Sequence, residues 1–112
     1  MISIDTFRKL ALAFPEATEE PHFEKTSFRV KKKIFATFDA VKNRACVKLS
    51  ASEQDIFTSS HPLVIFSLDN KWGKQGWTLI ELSKVKKDLF TAVLTSAYRE
   101  VAPVKLVKEM KA

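Results

Sequence analysis

Between His22 and Leu49 the apolar residues stop recurring at helical spacing and fall into short β-branched or aromatic runs. The runs are Phe23, Thr26-Ser27-Phe28-Arg29-Val30, Ile34-Phe35-Ala36-Thr37-Phe38 and Ala45-Cys46-Val47-Lys48-Leu49. Only Lys31-Lys32-Lys33 and Ala40-Val41-Lys42-Asn43 separate the longer ones. Connectors this short suit an antiparallel meander with one face packed on helices. Phe28 and Val30 then share a face, as do Val47 and Leu49. Phe35 breaks the alternation in its run. That strand is either buried on both faces or sets one aromatic on the open face.

On either side of the meander the helical period returns. Ile4, Phe7, Leu10, Ala11 and Phe14 form one apolar stripe, so residues 3–14 are expected to be helical. Ser3 caps the start, Asp5 sits in the first turn and Pro15 ends the helix. Residues 16–21 are polar and are expected to be a connector. Residues 52–60 suggest a short helix with Ser52 as its cap. The segments 63–68 and 77–82 suggest two more strands, with a loop at 69–76. The longest helix is expected over 85–101, with Leu89, Ala92, Val93, Ala97 and Val101 as its core stripe. After Pro103, residues 104–110 suggest a last helical turn or two. The order α-β-β-β-α-β-β-α predicts a two-layer α+β fold, an antiparallel sheet of about five strands with helices on one face.

A chain of 112 residues makes one domain, here expected to span 1–112. Its nine phenylalanines supply large core units. It has only two glycines, so positive φ must be avoided or placed elsewhere at a cost. A single cysteine, Cys46, excludes an internal disulfide and a multi-cysteine zinc site. With no signal-type apolar segment and no run approaching the about 20 residues of a membrane span, a cytoplasmic protein without a membrane partner is expected.

The formal charge of +6 is unevenly spread. Residues 25–50 carry eight basic side chains and one acidic, and 71–112 are also net positive, whereas 1–24 and 51–70 are net negative. An acidic partner fits such blocks, as does a lysine-rich face that only keeps the protein in solution.

Five segments, in order, carry a resemblance. They are Phe14-Pro15-Glu16-Ala17-Thr18-Glu19-Glu20-Pro21-His22-Phe23, Thr26-Ser27-Phe28-Arg29-Val30, Lys33-Ile34-Phe35-Ala36, Lys71-Trp72-Gly73-Lys74-Gln75-Gly76-Trp77-Thr78 and Ala97-Tyr98. Together they resemble the MmcQ/YjbR family of small bacterial proteins. The resemblance implies a CyaY-like α+β fold and DNA binding through a double-wing arrangement of β-hairpins. One position departs from the family: Lys32-Lys33 stands where members often carry Gly-Lys. The turn thereby loses its usual positive-φ residue and gains a positive charge.

The residues themselves offer a binding surface rather than a catalytic one. Lys31, Lys32 and Lys33, flanked by Arg29, form one basic tip, and Lys71, Trp72 and Lys74 form another. Lysines on a rigid hairpin tip reach phosphates, and a tryptophan beside them can stack on a base. The same lysines also serve as ordinary turn residues and guard a sheet against edge pairing. Lys42 and Arg44 lie at the far end of the strand from the first tip, so the pairing of 31–33 with 71–74 is preferred. Lys84, Lys86 and Lys87 precede the long helix, as a solvated first turn or an anion contact. His22, near Glu19, Glu20 and Glu24, is expected to be a hydrogen-bonded loop histidine rather than a metal ligand, and Cys46 a small strand residue. No metal, cofactor or catalytic group is expected. The expected function is non-enzymatic DNA binding, with a monomer favoured. The alternatives are a protein-interaction adaptor using a strand edge or the Trp72 and Trp77 patch, and a small-ligand or hydrolytic role near Glu19–Glu24.

Overall fold

The computed structural model describes residues 1–110. Its elements run α1 (Ile4–Leu12), β1 (Ala17–His22), β2 (Lys25–Val30), β3 (Lys33–Asp39), β4 (Arg44–Lys48), α2 (Ala51–Ser60), β5 (Ile65–Ser67), α3 (Lys71–Lys74), β6 (Trp77–Glu81), α4 (Lys87–Val101) and α5 (Val104–Glu109). All strand pairs are antiparallel, in the order β1-β2-β3-β4-β6-β5. The expected two-layer α+β architecture is therefore present, with six strands. Among the described residues no helix is long and apolar enough to cross a membrane.

The additional strand is β1, in the segment whose composition reads as a connector. Its residues are polar because β1 is an edge strand, with half of its positions exposed and none buried. It pairs along its whole length with β2, from Ala17 opposite Val30 to His22 opposite Lys25. Tertiary pairing thus overrides weak strand propensity. Helix α1 helps to hold it, because the Arg8 guanidinium donates to both carboxylate oxygens of Glu19 at 2.7 and 3.0 Å.

The irregular period at Phe35 is a β-bulge. Phe28 pairs with Ala36 and Arg29 with Ile34, so Phe35 has no partner across the strand. The extra residue brings Phe35 to the same side as Ala36 and Phe38, all against the helices, while Ile34 and Thr37 face the opposite side. On the covered side the Phe7 ring lies 4.9 Å from both Phe28 and Phe90, and Phe14 stacks on Tyr98 at 4.7 Å. Tyr98 is fully buried, and its hydroxyl donates to the Pro15 carbonyl at 2.7 Å. The buried stripe of α4 is Phe90, Val93, Leu94, Ala97 and Tyr98, rotated from the expected one, and Ala92 is exposed. The larger aromatic side chains determine which way the helix turns.

Two further details correct the sequence reading. Helix α2 is capped by Ser50, whose hydroxyl accepts from the Glu53 N–H at 3.2 Å, not by Ser52. The segment 69–76, expected as a loop, contains the single helical turn α3, capped by Asn70.

Candidate nucleic-acid interface

With so few glycines the turns take positive φ from other residues: Glu16, Phe23, Lys31, Lys32 and Asn43. At the β2–β3 hairpin both central residues, Lys31 (φ 51°) and Lys32 (φ 68°), have it, the sign pattern of a type I′ turn. The turn takes this shape without a glycine, at a cost of roughly 1 kcal/mol or more per residue. The tip therefore presents lysines at a conformation that glycine would adopt more easily.

The sequence-predicted residues have unequal positions. Lys31 is engaged by Glu16 at 2.7 Å. Arg29 is turned back along the sheet, donating to the Ser27 hydroxyl at 2.9 Å and the Pro21 carbonyl at 3.3 Å. Lys32, Lys33 and Lys74 are exposed and make no ion pair among the described residues. The Lys71 ammonium lies 5.4 Å from the centre of the Trp72 ring. The strand directions put 31–33 and 71–74 at the same end of the sheet, about three strand spacings or 14 Å apart. Lys42 and Arg44 lie at the opposite end, and Arg44 is paired with Glu81.

The sequence reading named a Trp72 and Trp77 patch but not the open sheet face to which it belongs. The side chains of β3, β4 and β6 that point away from the helices include Ile34, Thr37, Cys46, Trp77 and Leu79. Among the described residues only the short turn α3 reaches over them, through Trp72, and with it and Leu68 they line a cavity of about 470 Å³. His22 and Lys25 close it toward β1. Trp72 is 48% exposed, yet its loop is closely fixed. Asn70 Oδ1 accepts from the Trp72 N–H at 2.9 Å, and Gln54 Nε2 donates to the Gly73 carbonyl at 2.9 Å and to Thr78 Oγ1 at 3.1 Å. Both glycines of the chain serve this loop. A Cβ on Gly73 would lie 1.9 Å from the Leu68 carbonyl oxygen, and one on Gly76, at φ 105°, would lie 2.0 Å from the Leu49 oxygen. Lys48 ties the other side by donating to the Gln75 carbonyl. A faint signal of this was the placement of both glycines between the two tryptophans, Trp72 and Trp77.

The groups that suggested chemistry stand on opposite sides of this cavity. His22 and Cys46 lie on β1 and β4, three strand spacings or about 14 Å from each other. His22 packs edge-on against Phe23, its ring centre 4.9 Å away. Burial pushes the Cys46 thiol up to about 11, against a smaller opposing effect of Lys25. A catalytic thiol needs the reverse shift. No group of three or more His, Cys, Asp or Glu side chains that could hold a metal ion occurs among the described residues.

The family model described as YjbR matches residues 12–100 of the chain. No curated protein sequence matches it. Among solved structures, the crystal structure of Deinococcus radiodurans protein DR2400, with the family-model domain DUF419, is similar. The TM-score is 0.79 at 21% sequence identity, over 97% of this chain and 88% of that one. At that identity the likeness concerns the fold alone.

Proposed function

The chain belongs to the YjbR family, and from that premise we propose that it is a non-enzymatic DNA-binding protein that holds phosphates on lysines at one end of its sheet. The observation that carries the reading is the convergence of two basic segments, distant in sequence, on that end. There Lys32, Lys33 and Lys74 have no carboxylate partner among the described residues, and the Lys71 side chain lies over the Trp72 ring. Backbone contacts of this kind position a protein without reading sequence. The separation of His22 from Cys46 and the raised thiol pKa support a non-enzymatic role. The alternative that uses a strand edge has less support. Edge strand β1 carries Pro21, which lacks a ladder donor, and exposed Glu20, while β5 is only three residues long.

The test is fluorescence anisotropy with labelled DNA across a salt series. With about four phosphates neutralised, affinity should fall roughly two orders of magnitude between about 50 and 200 mM salt. Replacing Lys32, Lys33 and Lys74 with Ala should weaken binding to all sequences alike and flatten the salt slope. Absence of binding at tens of micromolar protein in low salt, or binding unchanged in the triple variant, would refute the reading.

A further inference from the structure

We propose that the groove on the uncovered face of the sheet is a stacking site for a single, unpaired nucleic-acid strand, with Trp72 as the platform. This rests on the nucleic-acid reading above and names the form of nucleic acid that the protein takes. Three observations lead to it. First, the groove is preformed and concave, about 470 Å³, and its floor of Ile34, Leu68, Trp77 and Leu79 is mainly apolar. A volume of this order suits a small planar group. Second, Trp72 is half exposed at the rim while its backbone is fixed by Asn70, Gln54 and the close approach of Gly73 to Leu68. A large aromatic held rigid toward solvent loses little entropy when a flat ring stacks on it.

The third observation is charge. The carboxylates of this face at the end of Lys42 and Arg44 are already engaged, Asp39 with Lys25 at 4.0 Å and Glu81 with Arg44. Glu20 stands on β1, away from the floor, with the Thr18 hydroxyl on its carboxylate. At the opposite end Lys33 and Lys48 border an adjoining depression with Trp77, where Glu100 is the acidic neighbour, and Lys71 stands beside Trp72. The complement of this surface is an anion that also offers flat aromatic faces. In a duplex the base faces are covered by their neighbours in the stack, whereas an unpaired strand leaves them free.

The natural protein supplies its own reporters. Both of its tryptophans and its one cysteine line the groove. An oligo-dT strand should therefore quench tryptophan fluorescence and slow alkylation of Cys46 several-fold. It should bind about ten-fold more tightly than a duplex of equal length. Trp72→Ala should weaken oligo-dT binding about five- to a hundred-fold and leave duplex binding within about two-fold. If duplex and single strand bind alike and neither protects Cys46, the groove assignment is wrong while the basic end still serves to hold DNA. If neither binds, both proposals fail. If a poly-glutamate peptide protects Cys46 as well as oligo-dT does, the groove is a site for acidic peptides and the assignment is again overturned. Cys46 protection is read on the unmodified chain, so a folding defect in the Trp72 variant does not remove the test.

Discussion

On the helix side of the sheet, Phe7, Phe28, Phe35 and Phe90 are fully buried, their rings interlocked with Tyr98 and Phe14. On the other side, Ile34, Cys46, Trp77 and Leu79 are only partly buried, and the aromatic side chain that reaches over them, Trp72, remains in contact with water. The two faces differ in what positions the aromatics. Rings on the covered side are held by other rings, so stability and placement are the same thing. Trp72 is held from below by backbone: an Asn cap, a Gln side chain and two glycines that permit close approach. Its ring makes little of the core and can be spared for a ligand.

The largest effect that tests this difference is Phe7→Ala. Removing a fully buried ring with two ring neighbours at 4.9 Å should destabilise the protein by about 3–5 kcal/mol in urea unfolding. Trp72→Ala should change stability by less than about 1 kcal/mol in the same measurement. Equal losses in the two variants would erase the distinction between the faces.

Gly73→Ala comes next. The added methyl must displace the Leu68 carbonyl and with it the loop that carries Trp72. A loss of about 1–3 kcal/mol is expected. Wild-type stability would show the loop to be looser than its contacts imply.

Lys32→Gly sharpens the comparison at the boundary of the two faces. Glycine relieves the positive φ of 68°, so thermal denaturation should show a gain of up to about 1 kcal/mol. Anisotropy across a salt series should show a slope shallower by about one unit, because one ammonium no longer neutralises a phosphate. Stability and binding would then move in opposite directions, and a destabilised variant would contradict the turn geometry.

The smallest effect concerns Cys46 on the open face, and it appears only at alkaline pH. Its pKa is raised to about 11, so in the unfolded chain the thiol ionises first. The stabilising contribution is complete below the unfolded value near 9 and is lost as pH rises from there toward 11. Between pH 8 and 10 the alkylation rate of the folded protein should climb roughly ninety-fold, against about ten-fold for a thiol that ionises near 9. A rate that levels off by about pH 10 would mean that the thiol is not shielded.

The amino-acid sequence by itself determined the elements with strong local signals. The stripe Ile4, Phe7, Leu10, Ala11 defined α1, the alternation in 26–30 and 45–49 defined two strands, and the short connectors required antiparallel neighbours. It also located the lysines of both tips, because charge is read directly from residue type. The bulge at Phe35 was visible only as a broken period, since a bulge is a relation between two strands and not a property of one. Strand β1 and the capping turn α3 were not legible, because polar residues gain their structure from a neighbour: β1 from the ladder with β2, α3 from Leu68, Gln54 and Asn70. Tertiary structure alone decided that Lys31 and Arg29 are occupied and that Lys32, Lys33 and Lys74 make no ion pair among the described residues. It alone brought Trp72, Trp77 and Cys46 into one groove. Pairing partners and close approaches depend on where distant segments meet in space, and spacing along the chain carries no measure of that.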